Sequence, residues 1–402
     1  MEVVKEPGRP LLLFCLGTRP EMIKLAPVIL LAKQRGMDTL LVNTGQHADL
    51  LSPLFDLFGL HPDHDLTVMC ANQTLNGLLA RILERLDPIL EKAAPSHVIV
   101  QGDTATALAG ALAAFNRKIP VAHVEAGLRS GNRLSPFPEE MNRRLVTEIA
   151  DLHFAATTLN RDTLLAGGVP AERIHTTGNS VVDALHHTLA RSKPGIDLLA
   201  LRRQVAGRRV VLLTTHRREN FGDTMRAYLR SLRRFVEAHP DLCVVFPMHP
   251  NPNVRAAAEA ELGGCDQVII TSPLGYADFV HLLNDAWLIV SDSGGIQEEA
   301  SALGKPILVL RENTERPEGV NAGVARLAGE QPDQLDHLLG GAVADKAWFE
   351  QAAKAEKVYG DGRAAARILD VLAGPAPVKA APAHSPALLH GFAAAAPLLQ
   401  AS

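Results

Sequence analysis

Nine short, nearly unbroken apolar runs limit what this chain can fold into. They span residues 11–16, 39–43, 97–100, 121–124, 210–215, 243–247, 268–271, 288–291 and 307–310 and are rich in Val, Ile and Leu. A run without polar alternation is apolar on both faces, as in a parallel strand covered by helices above and below. Helical periodicity fills most of the gaps between the runs. This alternation predicts an α/β, doubly wound architecture. The runs form two series, one ending near Gly178 and one opening around 209–215. The stretch 191–207, with Lys193-Pro194-Gly195, is the expected seam. Two Rossmann-like sheets facing each other put the carboxyl ends of their strands around one cleft. At 402 residues the chain is also long for a single core. We therefore expect one domain over 1–190 and a second over 191–352. A helix over 352–372, in a segment 353–373 that crosses back to the first domain, follows. A flexible Ala/Pro-rich tail over 374–402 ends the chain.

Composition narrows the function. With 47% hydrophobic and 21% charged residues, the chain reads as globular. Aromatic residues make up only 4%, so stacking platforms for single-stranded nucleic acid are scarce. The net charge is −4 and the basic residues are dispersed, which argues against a nucleic-acid partner. Cys15, Cys70, Cys243 and Cys265 are far apart and form no CxxC. Without a signal-peptide pattern they read as buried thiols in a reducing, cytoplasmic compartment. No apolar run approaches the roughly 18 residues of a membrane span.

Chemistry gathers after the strand ends. Ser291-Asp292-Ser293-Gly294-Gly295-Ile296-Gln297-Glu298-Glu299 follows an apolar run and reads as strand, tight turn and helix start. Its glycines let backbone N–H groups meet a ligand with no Cβ in the way. The helix start offers free N–H groups and a positive dipole end to a phosphate or diphosphate. Glu299 lies about one turn further on, where a carboxylate can take two ribose hydroxyls. Thr314-Glu315-Arg316-Pro317-Glu318 adds a basic turn. Together these suggest a nucleotide-diphosphate pocket in the second half. The glycines alone would also suit an ordinary strand-to-helix turn, because there is no Walker lysine and no GxGxxG.

In the first half, Gly17-Thr18-Arg19-Pro20 follows the first run, and Arg19 and Lys24 are either phosphate ligands or a solvated basic pair. Asp103 is either a helix cap or a cleft acid. Glu125, directly at a strand end, is either functional or a buried partner of Arg129. Glu139 and Glu140 open a helix behind Pro138, where they would complement its dipole. Asp103, Glu125 and Glu139 all come from loops on the same side of one sheet. Crowded carboxylates raise at least one pKa and so supply both an acid and a base. In the second half, His216, flanked by Arg217 and Arg218, is placed to donate to a phosphate oxygen. His61 and His64 lie in a loop with no scaffold for a metal, and no metal site is expected.

These segments carry a resemblance. GTRPEMIKLAPVI, TGQH, QGDTATALAGALAAF, HVEAGLRSG, SPFPEEMNRRL, TGNSVVDAL, HRREN, MHPNPNV and SDSGGIQEEASALGKPILVLRENTERPEGV run in order from about residue 11 to 370. With them the chain resembles the non-hydrolysing UDP-N-acetylglucosamine 2-epimerases, which share the two-domain fold of GT-B glycosyltransferases. The resemblance implies a UDP-N-acetylhexosamine substrate, no cofactor, a homodimer, and a product that feeds cell-surface polysaccharide. It implies acid/base roles for Asp103, Glu125 and Glu139, and contact of His216 with the departing diphosphate. Arg19 and Lys24 would reach the nucleotide-sugar from the first domain. Phe279 would lie by the uracil, Ser293, Gly294, Gly295 and Arg316 would hold the diphosphate, and Glu299 would take the ribose. Gln46, His47 and His249 are its candidates for a second, activating nucleotide-sugar. Leu274, Thr215 and Ala48 depart from residues common in relatives, and Ala48 puts that activation in question. The implied reaction eliminates UDP across C1–C2 to a 2-acetamidoglucal and adds it back. The alternatives are a hydrolysing epimerase that releases N-acetylmannosamine, a 2-epimerase of a UDP-diacetamido-uronic acid, a GT-B glycosyltransferase and a silent UDP-sugar sensor.

Overall fold

The computed structural model describes residues 10–46, 48–70, 72–217, 220–329, 332–355 and 357–374. The tail beyond 374, like His47, lies outside the described residues. Two parallel sheets organise the rest. The first holds β1 (Leu11–Leu16), β2 (Asp38–Asn43), β3 (His64–Asp65), β4 (His97–Gln101), β5 (Val121–Ala126), β6 (Leu152–Ala155) and β7 (Ile174–Thr176), in the order β3-β2-β1-β4-β5-β6-β7. The second holds β8 (Arg209–Thr214), β9 (Leu242–Pro247), β10 (Val268–Thr271), β11 (Leu288–Ser291), β12 (Ile307–Val309) and β13 (Ala325–Leu327), in the order β10-β9-β8-β11-β12-β13. Each sheet reverses direction of growth once, between β1 and β4 and between β8 and β11. Crevices outside strand ends form at such switch points.

The continuous apolar runs have the expected cause. In β1 all six residues are buried. Leu12, Phe14 and Leu16 point into one core layer, and Leu11, Leu13 and Cys15 into the opposite one. In β8, Val211 and Leu213 face one layer and Val210 and Leu212 the other. Both faces are dry, so neither can alternate with polar residues.

The observed strands and final helix differ from those expected. β3, β6, β7 and β13 are absent from the nine apolar runs, because they are two to four residues long and carry His, Asp, Thr or Arg. The seam 191–207 contains a helix, Ile196–Gln204, whose Leu198 and Leu201 pack into the core of the second sheet. The helix expected over 352–372 is two helices, Lys346–Lys354 and Ala364–Leu372. Between them Gly360 and Gly362 take positive φ. At Gly360 the backbone passes so close to Gly178 that an added Cβ would lie 3.1 Å from its Cα. The second of these helices packs Ile368, Leu369 and Leu372 into the first sheet's core. Cys15, Cys243 and Cys265 are buried thiols, whereas Cys70 is exposed. No helix among the described residues is long and apolar enough to cross a membrane.

Candidate active site

β5 ends in an irregularity that aims Glu125. The register with β6 shifts between Val124 and Ala126, and Glu125 takes a φ of 65°. The left-handed region costs a non-glycine residue roughly 1–2 kcal/mol, and an extra residue in a strand redirects its side chain. The buried carboxylate is held by three donors. Lys24 Nζ and Asn179 Nδ2 (3.1 Å) reach Oε1, and Gln101 Nε2 reaches Oε2. Burial alone would raise the pKa of Glu125. The Lys24 ammonium and the Arg316 guanidinium outweigh it and hold the carboxyl below its usual range. Arg129, the alternative partner, instead donates to Thr147 Oγ1 at 3.0 Å and to the Leu128 carbonyl at 2.8 Å.

Asp103 follows β4 and is not a cap. Thr104 caps the helix Ala105–Asn116, its Oγ1 accepting from Ala107 N at 3.1 Å. The Asp103 carboxylate pairs with Arg143 Nη2 at 2.7 Å, and its main-chain oxygen accepts from Asn142 Nδ2 at 2.9 Å. Burial raises its pKa to about 6, the carboxylates of Glu125 and Glu139 push the same way, and Arg143 opposes them. Glu139 begins the helix Glu139–Ile149. Asp103, Glu125 and Glu139 therefore share one field. Glu140, by contrast, is a structural residue. Fully buried, it accepts from Ser130 N at 2.9 Å and Arg144 Nε at 2.8 Å and so anchors the preceding loop.

At the end of β11, Ser293 is the N-cap of the helix Gly294–Ala302, yet its hydroxyl makes no cap bond. The Arg316 guanidinium lies on Gly294. An added Cβ there would sit 2.5 Å from Arg316 Nη1, whereas one on Gly295 would meet open space. Arg316 Nε donates to Glu298 Oε1 at 2.6 Å, and Glu298 Oε2 lies 3.6 Å from Lys24 Nζ. Alternating charges thus run Glu125–Lys24–Glu298–Arg316 from one sheet to the other.

The helix Arg19–Gln34 brings Arg19 as well as Lys24 across. The Arg19 guanidinium carbon lies 5.9 Å from the centre of the Tyr276 ring, on the second sheet's side. Burial chiefly pushes nearby Glu299 up to about 7, with Glu298 adding and Arg19 opposing. Phe279 and Leu274, both partly buried, each pack against one core layer of the second sheet.

His216 stands just past β8. Its main-chain N–H and that of Arg217 each donate to Asp292 Oδ2 at 3.0 Å, as do Thr215 Oγ1 at 2.8 Å and Asn220 Nδ2 at 3.0 Å. His216 Nδ1 is 3.4 Å from Asp292 Oδ1. The ring of His249 stacks on that of His216 with centroids 5.6 Å apart. This puts His249 beside the candidate leaving-group histidine. Gln46 lies on the first sheet's side, its Oε1 accepting from Thr106 Oγ1 at 3.0 Å.

Comparison with known proteins decides the family. A family model described as UDP-N-acetylglucosamine 2-epimerase matches residues 30–373. This chain belongs to the UDP-N-acetylglucosamine 2-epimerase family. The UDP-N-acetylglucosamine 2-epimerase of Bacillus subtilis (strain 168) is 44% identical over 359 residues, covering 89% of this chain and 93% of that one. The crystal structure of the Neisseria meningitidis 2-epimerase bound to UDP-GlcNAc has 38% identity and a TM-score of 0.83, over 90% of this chain and 99% of that one. The Methanocaldococcus jannaschii 2-epimerase in complex with UDP-GlcNAc and UDP has 33% identity and a TM-score of 0.74, again over 90% and 99%. The two facing parallel sheets are those of this epimerase family and of the GT-B-like fold.

Four buried groups of this candidate site are not among the residues expected from the sequence: Gln101, Asn179, Asp292 and Glu298. Gln101 and Asn179 sit in quoted motifs, and a polar residue beside a strand end was the available signal. Glu298 looks like one of two acidic residues on an exposed helix, and only its burial tells it from that.

Proposed function

We propose that this protein is a non-hydrolysing epimerase that interconverts UDP-N-acetylglucosamine and UDP-N-acetylmannosamine. A base removes the C2 proton, the C1–O bond breaks, and its electron pair leaves with the diphosphate as UDP. The remaining 2-acetamidoglucal takes UDP back at C1 and a proton at the other face of C2. The route needs an acid and a base on the two faces of C2 and cations at the leaving diphosphate. Asp103, raised to about 6, suits proton exchange near neutral pH. Glu125, held ionised beside Lys24, and Glu139 are the other candidates. Arg316, the Ser293–Gly295 turn and His216 would carry the charge on departing UDP, Glu299 the ribose, and Phe279 the uracil, with Arg19 and Lys24 closing from the first domain. On this reading 1–190 and 191–352 act as two bodies that close over the glucal so that it cannot escape. The segment 353–373 returns to the first body.

One observation carries this reading. The guanidinium on Gly294 and the carboxylate of Glu125 are joined through Lys24 and Glu298, so the diphosphate turn and the crowded carboxylates border the same space. A transferase has no use for three such carboxylates.

The test is turnover of UDP-N-acetylglucosamine in D₂O, followed by NMR. Recovered substrate and UDP-N-acetylmannosamine should both carry deuterium at C2, because the returning proton comes from an acid that exchanges with solvent. Epimerised product without that label would overturn elimination. Accumulation of UDP and free N-acetylmannosamine would identify a hydrolysing enzyme. The same assay with a UDP-diacetamido-uronic acid decides the substrate class.

A further inference from the structure

Glu298 has no place in the reaction just described, yet it is a buried charge held between cations from the two sheets, its side chain 2% exposed. Its Oε1 accepts from Arg316 Nε, and its Oε2 has no hydrogen-bond partner and faces Lys24 Nζ at 3.6 Å. Removing a lone carboxylate from water is costly, and two cations from opposite sheets offset that cost. The arginine gains as much. A free arginine side chain carries rotamer entropy that must be lost when it grips a ligand. Glu298 occupies Nε and so leaves both terminal nitrogens against the Gly294 turn, where a Cβ would lie 2.5 Å from Nη1 and 3.6 Å from Nη2. The neighbouring Glu315 is a poor substitute, 3.8 Å from Nη1 and already paired with Arg311 at 2.9 Å.

We propose that Glu298 is a positioning residue. It fixes Arg316 at the helix start for a nucleoside diphosphate, and through Lys24 it ties that arginine to Glu125 on the other sheet. The proposal rests on the reading that this turn binds UDP. It makes a prediction whose sign separates it from simple electrostatics. Deleting a negative charge near an anion site should tighten anion binding if charge alone mattered. Loss of a positioning residue should weaken it.

Calorimetric titration with UDP of the wild type, Glu298→Gln, Arg316→Ala and the double variant tests this. Glu298→Gln should bind roughly tenfold or more weakly, in the range of a lost hydrogen bond to a charged group. The double variant should bind no more weakly than Arg316→Ala, because Glu298 acts through that side chain. Should the glutamine variant not fold, Glu298→Asp, which keeps the charge but shortens the reach, replaces it in the same cycle with the same expectations. Unchanged or tighter binding by the Glu298 variant, or losses that multiply in the double variant, overturns the proposal. A wild type that does not bind UDP overturns the underlying reading and the proposal with it. A wild type that binds while the variants behave independently overturns the role of Glu298 alone.

Discussion

Asp103, just beyond β4, and Glu125, near the end of the neighbouring β5, end with opposite shifts in proton affinity. Burial dominates at Asp103, where two carboxylates reinforce it against the Arg143 guanidinium and the Lys24 ammonium. At Glu125 the Lys24 ammonium in contact and the Arg316 guanidinium together outweigh the burial. The folded value of about 6 for Asp103 exceeds its ordinary 3.8, so the folded state holds this proton more tightly than the unfolded chain does. Ionising Asp103 therefore costs stability. The cost is absent below about pH 4, grows up to about pH 6 and is full above it. Asp103→Asn removes that titration. Its melting temperature relative to wild type should rise between pH 4 and pH 7, read by parallel thermal scans. Its epimerisation rate at neutral pH should meanwhile fall by roughly 10²-fold or more, the range for losing a general acid or base. A relative melting temperature independent of pH would show that Asp103 does not titrate as described. At this scale motif chemistry brought Asp103, Glu125, Glu139 and Arg316 into view as candidates. It did not reveal Asn179, 54 residues from the carboxylate it binds. Nor did it reveal that Glu125 pairs with Lys24 rather than Arg129, because no local pattern encodes which cation arrives from another helix.

The turn at Gly294 is where an element's geometry decides most. Gly294 begins the helix Gly294–Ala302 with a guanidinium on its bare Cα, and Gly295 has open space around it. Alanine is the better helix former by about 1 kcal/mol, so propensity favours alanine at both sites. Gly294→Ala would nevertheless displace Arg316, and UDP affinity measured by calorimetry should fall roughly as far as in Arg316→Ala, by about 1.5–3 kcal/mol. Unchanged affinity in Gly294→Ala would show that the guanidinium does not act from that position. The strands divide along similar lines. Long apolar runs were legible because both faces are dry. β6, Leu152-His153-Phe154-Ala155, was not, since His153 reads as polar. In the fold it is buried, and burial pushes its pKa down to about 3, which keeps the ring neutral.

On the scale of the whole molecule, the chain's last described helix is tied back to its first half. The Asp183 carboxylate accepts from Ala364 N at 3.1 Å and Ala365 N at 3.0 Å, capping the helix Ala364–Leu372 from another helix. A helix-capping side chain contributes about 0.5–2 kcal/mol. Asp183→Ala should speed hydrogen exchange of the amides in 364–372 several-fold while leaving those of β8 unchanged. Equal protection in variant and wild type would show that the cap contributes nothing. Further ties cross between the halves, from Thr157 Oγ1 to Glu318 Oε1 at 2.6 Å and from Asn179 N to the Tyr359 carbonyl at 2.7 Å. The doubly wound class, the two series of strands and the turns from which candidate ligands come are all legible in the order of residues. Those follow from periodicity and from glycine or proline at particular positions, which act over a few residues. That Lys24 meets Glu125, that Glu298 is buried between two cations, and that Gly360 lies against Gly178 where a continuous final helix was expected are visible only in the folded chain. Each of these depends on which surfaces meet across tens or hundreds of residues, and on burial, which turns an ordinary charge into a costly one that must find a partner.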